Sequence, residues 1–269
     1  MSEKTEEIKT EKDVIKNIPQ NEETAKRINI SKDSFNIEEW KPKTKLGLMV
    51  KNKEIKDIDE ILDKGMKIQE GEIIDILLPN IETELLLVGQ AKGKFGGGQR
   101  RVFKQTQKKT REGNKPQFGT YAVVGNKNGY IGIGYGKGKE TVPAREKAIR
   151  NAKMNIFKIL RGSGSWESNS NEPHSIPFAV SGKSGSVKIM IMPAPKGKGI
   201  VAEKEIRKIL GLAGIKDCWT KSHGQTGTKQ NFIKATIMAL QKLTKTKLSD
   251  DKVKDLGIVS GSLAEEKDE

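Results

Sequence analysis

The chain of 269 residues contains a single cysteine, Cys218, and two histidines, His174 and His223. One thiol excludes an internal disulfide framework and fits a reducing compartment. These three side chains show no metal-ligand spacing, and Cys218 alternates with Ile215 and Trp219 as a buried strand residue does. We therefore expect no catalytic residue, no metal ion and no cofactor.

Long apolar runs are also missing. None approaches the roughly 18 residues that a membrane span needs, and the charged N-terminus lacks the apolar core of a signal peptide. The basic part of the chain has no exposed aromatic and leucine face of the kind that anchors a helix to a membrane surface. These absences predict a cytoplasmic protein that does not bind membranes.

What the sequence does contain is positive charge, and all of its excess lies in one stretch. Residues 91–162 hold 18 Lys and Arg against 3 Asp and Glu, so their net charge is +15 (18 − 3), equal to that of the whole chain. The remaining residues therefore sum to zero. A charge that serves solubility is expected to be spread out, whereas a localised block is typical of a surface that binds a phosphate backbone.

The densest part of this block, a Gly-flanked stretch around Arg100–Arg111, predicts a contact with structured RNA. An isolated loop of that charge would repel itself, which favours a polyanionic partner over a solvated surface. Its few aromatic residues favour recognition of RNA backbone and shape over stacking on single-stranded bases. The residues that we expect to bind RNA are Lys92, Lys94, Arg100, Arg101, Lys104, Lys108, Lys109, Arg111, Lys115, Lys127, Asn128, Lys137, Lys139, Arg161, Lys196 and Lys198.

Composition and apolar periodicity divide the chain into six predicted segments. The ends mix Lys and Glu with little apolar periodicity, and short helices stopped by Pro79 precede the basic block. The segments are a flexible N-terminal tail at 1–38, a helical extension at 39–81, an RNA-binding domain at 82–162, a linker at 163–175, a C-terminal α/β domain at 176–245 and a flexible C-terminal tail at 246–269.

A helix stopped by Pro79 is followed within 82–162 by three predicted antiparallel strands and a second helix. The predicted strands are 85–88, 118–124 and 130–135, with a hairpin turn between the last two and a long basic loop at 92–117. The second helix begins near Pro143, with an apolar stripe that continues to Leu160. Gly132, Gly134 and Gly136 leave bare backbone on one face, which would allow RNA to approach closely.

The second domain is predicted to contain strands at 176–181, 187–192 and 215–221 and helices at 202–212 and 228–243. Between strand and helix, Gly197-Lys-Gly-Ile-Val-Ala202 fits the pattern G-x-G-x-x-A of dinucleotide-binding turns. Residues 193–196 separate the strand from the first glycine, which that turn does not allow. An enzyme that binds a nucleotide at Gly197–Gly199 is nevertheless an alternative, and a free-standing RNA-binding regulator is another.

Nine short motifs follow one another between Trp40 and Leu243. They are Trp40-Lys-Pro-Lys-Thr-Lys-Leu-Gly47, Gln107-Lys-Lys-Thr-Arg-Glu-Gly113, Val124-Gly-Asn-Lys-Asn-Gly-Tyr-Ile-Gly-Ile-Gly134, Arg161-Gly-Ser-Gly-Ser-Trp-Glu167, Pro173-His-Ser-Ile-Pro-Phe178, Gly185-Ser-Val187, Pro193-Ala-Pro195, Leu212-Ala-Gly-Ile-Lys-Asp217 and Gly224-Gln-Thr226. Each is weak alone, but their order and spacing are specific. The chain resembles the universal small-subunit ribosomal protein family S-five in its archaeal/eukaryotic form, and most closely the archaeal type.

The resemblance implies an α+β protein with disordered tails. It implies an N-terminal double-stranded-RNA-binding-like α-β-β-β-α domain and a C-terminal S-five domain-two-like β-β-α-β-α domain. It also implies a non-catalytic constituent of the small ribosomal subunit that binds small-subunit rRNA near the decoding region and the path by which mRNA enters, and that supports subunit assembly and translational accuracy. The implied partners are this rRNA, mRNA near the entrance channel, and neighbouring ribosomal proteins of the S-four, S-three and S-two families.

The sequence departs from the resemblance in two ways. Archaeal relatives often carry cysteines around the stretch of Trp166 and the turn at Gly182, and their absence adds to the expectation of no metal. This chain has serines there, namely Ser168, Ser170 and Ser184. The stretch 92–103 resembles an insertion, so we expect Arg100, Arg101 and Lys104 to take over RNA contacts.

Overall fold

The computed structural model describes residues 40–91, 98–168 and 171–262. The predicted N-terminal tail lies outside the described residues, as do Lys92, Lys94 and Ser170. The described helices are α1 Lys45–Lys51, α2 Ile58–Asp63, α3 Glu72–Leu77, α4 Thr141–Met154, α5 Lys204–Leu212, α6 Lys229–Lys245 and α7 Asp250–Asp255. The described strands are β1 Glu82–Leu86, β2 Lys104–Thr110, β3 Gly113–Gly125, β4 Tyr130–Gly138, β5 Ile156–Lys158, β6 Leu160–Arg161, β7 Val180–Ser184, β8 Val187–Pro193, β9 Ile200–Val201, β10 Cys218–His223 and β11 Val259–Ser260.

The helical extension consists of three short helices. Two of them, α2 and α3, were predicted from the spacing of isoleucines and leucines, and Ile61, Ile73 and Ile74 are fully buried. The first, α1, was not predicted. Thr44 caps it, because its hydroxyl accepts a hydrogen bond from the N–H of Gly47.

The first sheet is antiparallel and has the order β1-β3-β4-β5, with β2 paired to the outer part of β3. Helix α4 covers one face. The predicted α-β-β-β-α order is confirmed by α3, β1, β3, β4 and α4, with β2 and β5 added to it. Pro143 lies in the first turn of α4, as expected, but the helix ends at Met154. The prediction of a helical stripe as far as Leu160 was wrong, because residues 156–158 pair with β4 instead.

The predicted basic loop at 92–117 is in large part a hairpin. Residues 104–110 of β2 pair in register with residues 113–119 of β3, around a turn in which Gly113 has a φ of 117°. Six of the seven side chains of β2 are exposed, so the strand has no apolar alternation by which its sequence could have been recognised. The backbone ladder to β3 holds it in place.

The glycine face of β4 is closed by the chain itself. Gly132, Gly134 and Gly136 face α4, and a Cβ on any of them would overlap the backbone of Ala152, Ala148 or Ala144. The expectation that RNA approaches this face was therefore wrong. These positions require glycine because the alanine stripe of α4 packs directly onto the backbone of the strand.

The second sheet has the order β7-β8-β10-β9, and β9 runs parallel to β10. The predicted β-β-α-β-α order is confirmed by β7, β8, α5, β10 and α6, with the two-residue β9 as an addition. Helices α5 and α6 supply the apolar side chains that pack with the buried residues of this sheet.

One hydrophobic core joins the two sheets. Val123 and Ile133 of the first sheet belong to the same buried cluster as Ile206 and Ile209 of α5 and Ile191 of the second sheet. The face of the first sheet that α4 leaves open is therefore covered, over its inner half, by α5. The outer half, which carries the β2–β3 hairpin, extends beyond this cover.

Parts of the predicted linker at 163–175 and of the predicted C-terminal tail at 246–269 pack against the rest of the protein. In the predicted linker, His174 and Ser175 are buried, and the N–H of Gly162 donates to the carbonyl of Ser175 at 2.9 Å. In the predicted flexible tail, α7 is followed by β11, which pairs with β6. The expectation of a flexible chain from residue 246 was wrong for 250–261, because residues 250–255 form α7 and residues 256–261 make backbone bonds to residues 159–163. Residues 263–269 lie outside the described part.

Candidate nucleic-acid interface

The exposed basic residues in and around the outer part of the first sheet form a group that we call the hairpin surface. They lie on β2, on the β2–β3 turn, at the outer end of β3 and on β4, with Arg101 shortly before β2 and Lys139 directly after β4, and their side chains are all exposed. They are Arg101, Lys104, Lys108, Lys109, Arg111, Lys115, Lys137 and Lys139.

Most cations of the hairpin surface form no ion pair with a described carboxylate. Lys115 pairs with Glu112, while the other seven residues of the hairpin surface form an ion pair with none of the carboxylates that the structure describes. Some lysines elsewhere have partners: Lys127 lies 2.6 Å from Glu82, and Lys153 lies 2.7 Å from Asp75. At the hairpin surface, seven of the eight cations are left without an ion pair to a described carboxylate, which is the electrostatic condition for binding a polyanion.

Strand register brings like charges face to face. Lys108 is directly opposite Lys115 in the β2–β3 ladder. Directly opposed like charges destabilise a strand pair, and the ion pair of Lys115 with Glu112 offsets part of this repulsion in the free protein. A phosphate between the two ammonium groups would remove the remaining repulsion.

A second row of the sheet crosses three strands. Lys104 of β2 is opposite Gly119 of β3, which in turn is opposite Lys137 of β4. The two lysines therefore project from the same face, with a bare position between them. Strands lie about 4.8 Å apart, so the two backbones are roughly 10 Å apart.

The interface includes an aromatic residue that was not predicted to bind RNA. Tyr135 shares the face of Lys137, and 40% of its surface is exposed. Its ring packs against that of Tyr121, with centroids 4.9 Å apart. Burial raises the pKa of Tyr121, and Tyr135 beside it adds to this shift. The alternation along β4 places Tyr135 on the same face as Ile131 and Ile133. It does not show that α5, which covers the inner half of this face, leaves Tyr135 exposed.

Arg100 and the tip of the β3–β4 hairpin are bonded to other parts of the chain. The guanidinium of Arg100 donates to the carbonyls of Gly89 and Gly227, each at 3.4 Å. At the tip, the N–H of Lys127 donates to the carbonyl of Leu212 at 2.9 Å, so the turn packs on the C-terminal part of the chain. The side chain of Lys127 is exposed, whereas Asn128 is half-buried.

Arg161 is an interior residue. It is 4% exposed, and its guanidinium donates to Oδ1 of Asn128 at 2.6 Å and to the carbonyl of Gly261 at 3.0 Å. Burial lowers its pKa. Arg161 was predicted to bind RNA, but its side chain is not accessible to RNA. It instead joins the β3–β4 turn to the C-terminal segment.

Two further predicted residues lie on the second half of the chain. Lys196 is exposed and lies 2.6 Å from Glu172, and this ion pair lowers the pKa of the Glu172 carboxyl. Lys198 is exposed in the same loop. Both lysines were predicted to bind RNA because they flank Gly197 and Gly199 in the sequence. In the structure they do not belong to the hairpin surface.

Comparison with known proteins shows the family to which both halves of the chain are similar. The family model described as "Ribosomal protein S5, N-terminal domain" matches residues 99–160, and the one described as "Ribosomal protein S5, C-terminal domain" matches residues 182–252. The chain is 50% identical over 228 residues to the small ribosomal subunit protein uS5 of Nanoarchaeum equitans, covering 85% of this chain and 98% of that protein. It is 48% identical over 227 residues to the protein of the same name from Methanocaldococcus jannaschii, covering 84% of this chain and 98% of that one. The chain belongs to the ribosomal protein S5 family.

Members of the ribosomal protein S5 family are structural proteins and not enzymes. The glycine-rich loop before α5 is where the sequence offered a nucleotide site as an alternative, and its backbone N–H groups are already bonded. Glu203 caps α5, accepting hydrogen bonds from the N–H groups of Glu205 and Ile206. The carboxylate of Asp217 accepts the N–H of Gly199 at 2.6 Å. Carboxylates thus hold the donors that a phosphate would need.

The one cysteine is likewise unsuited to catalysis. Cys218 is fully buried at the start of β10, and burial, with Asp217 beside it, raises the pKa of its thiol to about 12. A nucleophilic cysteine needs a lowered pKa and access to solvent. Across the described part of the chain, no helix is both long enough and apolar enough to span a membrane.

Proposed function

We propose that this chain is a constituent of the small ribosomal subunit that holds small-subunit rRNA through the hairpin surface. The site is near the decoding region and the path by which mRNA enters, and the protein supports subunit assembly and translational accuracy there. Membership of the ribosomal protein S5 family supports the location. The observation that carries the RNA contact is the row of exposed cations on β2 and β4 that form no ion pair with a described carboxylate.

The interface is of the kind that follows phosphates. Lysines dominate the hairpin surface, and lysine meets phosphate as a point charge without reading base edges. The β2–β3 hairpin extends beyond the shared core, so its residues are free to lie along a groove of a folded RNA. The mRNA near the entrance channel is a second polyanion that the same positive field would attract.

The C-terminal domain is proposed to meet neighbouring ribosomal proteins of the S-four, S-three and S-two families. Its sheet has one face turned away from α5 and α6. On that face Met192, Trp219 and Val201 are adjacent in register, and Trp219 and Val201 are exposed. A contiguous row of large apolar side chains is more typical of a protein contact than of a phosphate contact.

Sedimentation in a sucrose gradient tests the function. The tagged full chain, expressed in its own cells, should migrate with small subunits and stay with them in moderate salt. A variant with Lys104, Lys108, Lys109 and Arg111 changed to Gln should dissociate at lower salt. A matched variant with four exposed lysines elsewhere, Lys234, Lys247, Lys252 and Lys254, changed to Gln should behave as the wild type. A chain that stays at the top of the gradient would contradict the proposal.

A further inference from the structure

Tyr135 occupies the boundary between the apolar core and the hairpin surface. On its own strand, Ile131 and Ile133 are buried on the same face, and Lys137 is exposed. Tyr135 is the one residue of this row that is aromatic and 40% exposed. The side chain thus presents part of a ring to solvent in the most basic region of the molecule.

The ring is held in place by its neighbours. Gly119 has no side chain, and the phenol of Tyr135 leans over this position, with Cζ 3.1 Å from the point that a Cβ would occupy. Tyr121 supports the ring from the core side, at 4.9 Å between centroids and with an angle of 44° between planes. A ring supported on two sides is pre-organised, so a ligand that stacks on its open face orders no further side chain.

Two free cations flank the ring. Lys104 and Lys137 are opposite Gly119 on either side, and neither forms an ion pair with a described carboxylate. The phenol leans into the gap between them. The arrangement of one aromatic surface between two ammonium groups matches a nucleotide, whose base is a flat ring and whose neighbours on either side are phosphates.

We propose that Tyr135 stacks on one unpaired base of the bound RNA, while Lys104 and Lys137 hold the phosphates beside that base. The inference rests on the proposed function, which places RNA on the hairpin surface, and it adds what kind of RNA feature lies at one point of it. Bases inside a duplex are stacked on each other and offer only their edges. A base in a bulge or loop can turn its face to the ring.

The test uses the full chain and two RNA probes, a short RNA duplex with a single bulged 2-aminopurine and the matching duplex without the bulge. The wild type should bind the bulged probe more tightly, and binding should quench the fluorescence of the 2-aminopurine. Tyr135→Leu, which keeps the bulk but loses the ring, should weaken binding of the bulged probe by about fivefold to a hundredfold. Binding of the paired probe should change little. Tyr135→Phe, which keeps the ring, should restore the preference that the leucine variant loses.

The matched control is Trp166→Leu, which removes an aromatic side chain that is 90% exposed outside the hairpin surface. It should bind both probes as the wild type does. Equal losses for both probes in Tyr135→Leu would overturn the inference, as would quenching that persists in that variant. Lys108→Gln with Arg111→Gln tests the proposed function separately, through the salt dependence of binding the paired probe. If that dependence falls while Tyr135→Leu changes nothing, RNA lies on the hairpin surface but no base stacks on Tyr135.

Discussion

A buried carboxylate of Glu205 accepts a hydrogen bond from the backbone N–H of Leu87, at 2.8 Å. Glu205 belongs to α5 of the C-terminal half, and Leu87 directly follows β1 of the first sheet. The same carboxylate lies 3.7 Å from the ammonium of Lys208. The two halves of the protein are therefore joined by a polar contact at the edge of their shared apolar core.

Removing this contact should destabilise the whole chain. In Glu205→Ala the N–H of Leu87 is left without its charged acceptor, so we expect the free energy of unfolding to fall by about 2 kcal/mol. Urea denaturation followed by circular dichroism measures this change. Glu146→Ala, an exposed acid on α4, is the control and should stay within about 0.5 kcal/mol of the wild type. Equal stability of the two variants would show that the contact contributes nothing.

The dependence of RNA binding on salt should report the contacts of the hairpin surface. Lys104→Gln with Lys108→Gln removes two free cations, so the slope of log K against log salt should become shallower by about 0.7 to 0.9 per lost phosphate contact. Titration of small-subunit rRNA at several salt concentrations measures the slope. Lys234→Gln with Lys252→Gln is the charge-matched control. A slope that is the same in both double variants would place the RNA elsewhere.

The packing of α4 on β4 should not tolerate a methyl group. In Gly134→Ala the new Cβ overlaps backbone atoms of Ala148 and Ala152. These atoms belong to α4, so they cannot move unless the helix moves. We expect a loss of about 3 kcal/mol or more, or failure to fold. Gly227→Ala is the matched control, since a Cβ there meets only the end of the Gln225 side chain. Thermal unfolding of both variants distinguishes a packing constraint from a general cost of replacing glycine.

The thiol of Cys218 should make stability fall at high pH. Its pKa is raised from 9.0 to about 12 in the folded chain, so between these values the unfolded chain loses a proton that the folded chain keeps. Unfolding therefore becomes easier as pH rises through this window, and the contribution is fully present below pH 9. The measurement is the difference in unfolding free energy between wild type and Cys218→Ala from pH 8 to pH 11. A difference that stays constant would show that the thiol ionises equally in both states.

Local patterns predicted the elements whose side chains alternate or repeat. The isoleucines of α2 and α3, the turn sequence between β3 and β4 and the apolar stripe of α4 each report a periodicity that needs no distant partner. The hairpin strand β2 was missed because six of its seven side chains are exposed, and only its pairing with β3 makes it a strand. The C-terminal segment was missed for a similar reason, since β11 is two residues long and is formed by its bonds to β6.

By itself the sequence determined where the charge is, which family the motifs resemble and which faces of the strands are apolar, because these are properties of residue type and spacing. Only the tertiary structure decided which cations are available. Arg161 counts as one charge in the basic block, yet Gly261, distant by one hundred residues, accepts its hydrogen bond in the interior. Lys104 and Lys137 carry the same charge and face solvent together across Gly119. That difference is set by which strands pair and where the shared core ends, and contacts between distant residues leave no trace in local sequence.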